Sequence, residues 1–110
     1  MAMNSNLSIR LVFITAPSPE IGAELARQAV EGQLVACVNI LPGVRSVYRW
    51  EGKVTESTEV LLIAKTTAEG VPRLERFIRE NHPYDTPEFV VVEPDTVESR
   101  YAEWLAGAVK

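Results

Sequence analysis

Three side chains in this sequence carry the chemistry to hold a metal ion: the Cys37 thiol, the His82 imidazole and the Glu88 carboxylate. Cys37 is the only cysteine and His82 the only histidine. Thiolate and imidazole both ligate copper and zinc, and soft sulfur favours Cu(I). Their spacing matches no metal motif, since there is no CxxC, HxxxH or His-rich tract. Each residue therefore has a second reading. Cys37 sits in an apolar, strand-like run and also reads as a small core residue. His82 follows a helical stretch, where an imidazole complements the helix dipole and donates to free carbonyls. A Cys/His pair also suits nucleophilic catalysis. Here it lacks an orienting group and an oxyanion turn, so the chain reads as a binding protein and not an enzyme.

Asn39 and Lys65 are polar positions among apolar neighbours. Buried polar groups need partners, so both are expected to line a pocket or interface with Glu59, Tyr84 or Glu88. Tyr48, Arg49 and Trp50 precede Glu51-Gly52 and read as an aromatic hairpin tip. Such a tip packs against a neighbouring subunit or stacks on a ligand.

The elements that position these residues follow from periodicity. Residues 9–16 are rich in Val, Ile, Leu and Phe and predict a buried strand. Ser18 is a natural N-cap, with Pro19 at the first helical position, and Gly32 ends the helix. Ile21, Leu25, Gln28 and Ala29 are its predicted apolar stripe. Residues 34–41 predict a strand, a bulge at Pro42-Gly43, and continuation over 44–50. After a short turn at 51–53, residues 54–65 return as its partner, giving a hairpin too long for a small sheet to cover. Thr66 or Thr67 caps a second helix over about 68–81, with Val71, Leu74, Phe77 and Ile78 inward and Arg73, Arg76, Arg79 and Glu80 in water. Pro83 and Pro87 break the chain before a fourth strand over 89–92. A last helix over about 99–108 presents Tyr101, Trp104, Leu105 and Ala108.

This order is the split βαβ, ferredoxin-like arrangement of the α+β class, with an antiparallel sheet, a long hairpin between the second and third strands, and an extra C-terminal helix. Helices then cover one sheet face and leave the other open, which predicts self-association. Acylphosphatase chemistry on such a fold needs a phosphate-cradling loop. Thr15-Ala16-Pro17 stands there instead, without glycines.

At 110 residues the chain is expected to form one domain over 8–110 after a disordered leader, residues 1–7. A net charge of −4 disfavours nucleic acid and anionic membranes as partners. One cysteine forms no internal disulfide, no apolar run is long enough to span a bilayer, and a cytoplasmic location is the expectation.

From residue 11 to 105 the sequence resembles the CutA divalent-cation tolerance proteins. The resemblance is carried by Thr15-Ala16-Pro17, the 34–39 segment Leu-Val-Ala-Cys-Val-Asn, Leu41-Pro42-Gly43, and the 46–53 segment Ser-Val-Tyr-Arg-Trp-Glu-Gly-Lys. Lys65-Thr66, His82-Pro83-Tyr84, Pro87-Glu88, Tyr101, Trp104 and Leu105 complete it. The resemblance implies a PII-like homotrimer whose hairpins, with Tyr48 and Trp50, extend sheets across subunits. It implies binding of copper or another divalent cation and a part in the response to metal ions, with Cys37, His82 and Glu88 as metal candidates. Asn39, Lys65, Tyr84, Tyr101 and Trp104 would join them in an intersubunit cleft. The alternative it implies is a PII-like module holding a small molecule in that cleft. Two positions depart from the pattern. Ile14 stands where some relatives carry a cysteine, and residues 92–97 differ from the usual Leu-Pro-Ile tail.

Overall fold

The computed structural model describes residues 8–110, so the expected leader at 1–7 lies outside the described residues. The elements run β1 (Ile9–Ala16), α1 (Pro19–Glu31), β2 (Cys37–Trp50), β3 (Lys53–Thr67), α2 (Val71–Asn81), β4 (Val90–Val92) and α3 (Ser99–Ala108). The four strands form one antiparallel sheet in the order β2-β3-β1-β4. This is the ferredoxin-like topology of the α+β class.

Alternation along the strands sorts the sheet into two faces. Val12, Ile14 and Ala16 of β1 and Val60, Leu62 and Ala64 of β3 are buried beneath α1 and α2, together with Leu25, Ala29, Leu74 and Ile78. The intervening Leu11, Phe13, Leu61 and Ile63 point to the other face and are only half-buried. There α3 covers one end alone, through Ile9, Ala36, Ala102 and Leu105. The rest of that face has no covering layer among the described residues.

Local chemistry fixes the ends of α1. The Ser18 side chain accepts the Ile21 N–H at 3.2 Å, Pro19 fills the first turn, and the Gly32 N–H returns to the Gln28 carbonyl. Gly22 is buried against β3, and a Cβ there would lie 2.7 Å from Val60 Cγ2. The buried residues of the inward stripe are Gly22, Leu25, Ala26 and Ala29, with the expected Ile21 packed half-buried beside them. Gln28 is not in it, because its amide bonds the Glu24 carboxylate one turn back.

The hairpin is built from strands of 14 and 15 residues and gives the chain its 50 Å long axis. Its register slips between Leu41 and Val44, the bulge expected at Pro42-Gly43, where Gly43 takes φ +73°. The tip is a two-residue turn with Glu51 at φ +51° and Gly52 at φ +80°. Two successive positive φ values match the twist of the flanking strands.

Several boundaries move. The second strand begins at Cys37 and not at 34, because Val35 and Ala36 are buried in a connection where the Leu34 carbonyl accepts from Thr66 Oγ1. Neither Thr66 nor Thr67 is the N-cap of α2, although Thr67 Oγ1 accepts the Gly70 N–H at 3.1 Å in the turn that leads into it. Pairing with β1 keeps β3 extended to Thr67, and Gly70 occupies the N-cap without a side-chain bond. Arg73 is half-buried, contrary to its expected place in water, with its guanidinium donating to the Lys110 carbonyl. The fourth strand is trimmed to three residues. In α3 the buried residues are Ala102 and Leu105, while Tyr101 and Trp104 are exposed.

Candidate functional site

The residues picked out by chemistry gather into two clusters on the open side of the sheet. The first lies at the end covered by α3. Cys37 and Lys65 are register partners, so their side chains leave the sheet on the same face. Lys65 Nζ donates to Asn39 Oδ1, two residues along β2. Cys37 is a free, half-exposed thiol 3.7 Å from Tyr101 Oη. Tyr101 is held there by its helix: the Glu98 carboxylate caps α3 by accepting the Tyr101 N–H at 2.9 Å. That bond draws the Glu98 carboxyl below its usual range. Partial burial, and secondarily the neighbouring thiol, push the Tyr101 hydroxyl up. Trp104 stacks one turn on, with ring centroids 5.5 Å apart.

The second cluster is organised by the segment after α2. His82 is the C-cap residue, its backbone N–H returning to Ile78, and it is buried. Its Nε2 lies 2.8 Å from the Thr15 carbonyl, and Nδ1 accepts the Tyr84 N–H at 3.1 Å. These two bonds assign the tautomer with hydrogen on Nε2. Tyr84 turns back beside the imidazole, ring centroids 4.8 Å apart, and its hydroxyl donates to Glu59 Oε2 at 2.8 Å. Burial and that carboxylate push the Tyr84 hydroxyl up to about 12. Glu88 stands near enough for partial burial and the Glu59 charge to raise its carboxyl. Between this segment and the hairpin lies an open groove of about 740 Å³, with Tyr48, Trp50, Glu59, Tyr84 and Glu88 in its wall.

The structure thus separates the sharpest pair of the sequence reading. Cys37 is level with Lys65 and Leu11, whereas His82 is tied to Thr15, four residues further along β1. At the strand rise, that places them about 13 Å apart along the sheet. The pairing of polar residues differs too. Lys65 and Asn39 satisfy each other, and Glu59 and Tyr84 satisfy each other. Glu59 was visible only as a possible partner. The signal that marks it is the bulge, since Glu59 pairs with Val44 immediately after the register slip and is drawn into the sheet at 8% exposure.

Residues 10–108 match the CutA1 divalent ion tolerance protein family. The chain belongs to that family. It is 43% identical to the divalent-cation tolerance protein CutA of Thermus thermophilus over 86% of this chain and 92% of that protein. It is 38% identical to human protein CutA over 89% of this chain, and it spans about half of that longer protein, 55%. Among solved structures, CutA1 of Thermus thermophilus superposes with a TM-score of 0.91 at 40% identity, over 93% of this chain and 99% of that one. The PII-like protein CutA of Nostoc sp. PCC 7120, in apo form, superposes with a TM-score of 0.86 at 40% identity, over 92% and 97% of the two chains. Where these names state a role, as for both Thermus thermophilus proteins, it is divalent-cation tolerance.

Within this CutA chain the metal candidates do not form a site among the described residues. No three His, Cys, Asp or Glu side chains converge among the described residues. Both ring nitrogens of His82 are already engaged inside the chain, so ligation through either would break a bond that holds the 82–84 segment. Cys37 has a half-exposed free sulfur with the Tyr101 hydroxyl 3.7 Å away, and it belongs to no cluster of three such ligands among the described residues.

Proposed function

We propose that this CutA protein acts as a homotrimer that binds copper or another divalent cation between subunits and contributes to the cellular response to metal ions. The uncovered sheet face carries this reading. Leu41, Tyr48, Trp50 and Val90 share that face by register and are each more than a third exposed on a hairpin and edge strand that reach beyond the core. An apolar surface of that extent needs a covering layer, and identical chains supply one symmetrically. Metal coordination then draws on ligands from more than one chain, with Cys37 offering soft sulfur and Glu88 a carboxylate. A cytoplasmic location belongs to the same proposal and rests on the single free thiol.

The test is a native mass measurement followed by calorimetric titration with Cu(I), Cu(II) and Zn(II). The expected result is a trimer with a stoichiometric site that Cys37→Ser or Glu88→Gln removes. A monomer, or binding insensitive to both substitutions, overturns the metal reading. The groove favours a second reading, a PII-like module holding a small molecule. At about 740 Å³ it has the size of a ligand site, and it combines aromatic rings with ionisable groups.

A further inference from the structure

Beyond α3 the chain turns back toward the opposite face of the sheet. α3 lies on the open face, whereas α1 and α2 pack on the other. Residues 109–110 reach that helical layer at three points. The Lys110 N–H donates to the Gln33 carbonyl at 2.9 Å, in the turn that follows α1. The Arg73 guanidinium, from the first turn of α2, donates to the Lys110 carbonyl. Val109 seats against Gly70, where a Cβ would lie 3.1 Å from Val109 Cγ1. Both main-chain polar groups of Lys110 are thus held, one by the flank of each helix. α3 has need of that hold. A helix of ten residues is not stable by itself in water, and the buried residues of α3 are Ala102 and Leu105 alone. Arg73 shows what the contact costs. Its Nε is shielded from solvent and has no hydrogen-bond partner among the described residues. Leaving that donor dry is unfavourable, and the charge-assisted bond to Lys110 offsets it.

We propose that residues 109–110 form a clasp, closed by Arg73 and Gln33, which holds α3 as a lid over the Cys37 end of the sheet. α3 places Tyr101 Oη 3.7 Å from the Cys37 sulfur, so the thiol loses that neighbour when the clasp opens and α3 lifts. Arg73 is a positioning residue that acts through Lys110. Every contact of the clasp lies within one chain. It therefore stands apart from how neighbouring copies cover the open face and from whether Cys37 holds a metal ion.

The experiment is hydrogen exchange on the assembled, full-length protein, read at the α3 amides and at those of β1. Arg73→Gln removes the guanidinium charge. Lys110→Pro removes the N–H given to Gln33 and keeps the carbonyl, and Val109 already has the extended backbone (φ −104°, ψ 130°) that suits a residue before proline. Each substitution is expected to speed exchange at Ala102 to Leu105 by about tenfold or more, with Val12 to Ile14 of β1 unchanged. Arg73→Lys is expected to restore part of the protection. Reaction of Cys37 with a thiol reagent under native conditions should accelerate in the same two variants. Equal acceleration in α3 and β1 overturns the proposal, because it reduces the clasp to a share of global stability. Unchanged α3 exchange in either variant also overturns it. Faster α3 exchange with an unchanged Cys37 rate overturns the role of α3 as a lid.

Discussion

Tyr84 donates its hydroxyl to the Glu59 carboxylate across 2.8 Å and so ties the segment after α2 to the base of the long hairpin. The bond joins residues 25 positions apart and gives a buried carboxylate its only hydrogen-bond donor among the described residues. Tyr84→Phe leaves that carboxylate without a donor, a loss of about 1–3 kcal/mol. Urea denaturation should show a lower midpoint with an unchanged slope, and Tyr84→Phe combined with Glu59→Gln should recover part of the loss.

The same bond sets an alkaline limit. The Tyr84 hydroxyl rises from 10.0 to about 12 in the folded chain. Between those values the folded state keeps a proton that the unfolded state releases. Stability therefore falls as pH rises from about 10 to about 12. Thermal melts across that range should decline more steeply in the native protein than in Tyr84→Phe, and phenolate absorbance should show one late-titrating tyrosine.

Glu88 and Glu98 predict opposite slopes in acid. Glu88 is raised by partial burial and by Glu59, so its folded state holds a proton more tightly and stability falls as pH rises just above 4.5. Glu98 is lowered by the Tyr101 N–H, so its contribution is present above 4.5 and is lost as pH falls below it. Glu88→Gln should flatten the first slope and Glu98→Gln the second, as read from melting midpoints against pH.

Gly22 marks the closest approach of α1 to the sheet. A Cβ at that position would meet Val60 Cγ2 at 2.7 Å, and Val60 is a buried strand residue with one stiff rotamer axis. Gly22→Ala should destabilise the protein by about 1–3 kcal/mol through overpacking, despite its better helix propensity. An increase in melting temperature would contradict this packing account.

Gly43 provides a contrast. Nothing among the described residues lies within 4 Å of a Cβ built there, but its φ of +73° is left-handed. Gly43→Ala should cost about 1–2 kcal/mol from backbone strain alone. A proline-scanning neighbour is not needed: equal melting of Gly43→Ala and the native chain would show that the bulge relaxes.

What was legible in the sequence was local. Ser18-Pro19, Gly32, Pro42-Gly43 and Glu51-Gly52 each dictate a backbone conformation through their own chemistry, and the structure places a cap, a stop, a bulge and a turn there. Thr66 shows the limit of such signals. A threonine before a helix is a good cap, but cross-strand pairing with Arg10 holds it extended and its hydroxyl goes to Leu34.

The sequence by itself determined the element order, the α+β class, the overlong hairpin and the family, because these depend on periodicity, turn residues and ordered motifs. Only the tertiary structure decided which functional side chains meet. Cys37 and His82 are equally suited to metal by residue type, but the sheet positions to which they attach differ by about 13 Å along the strand direction. Glu59 and Tyr84 carried no local signal of their partnership and were brought together by a register slip in β2 and a turn after α2. Contacts between residues distant in the chain are set by strand register and segment packing, and neither is encoded in the spacing of the residues that finally touch.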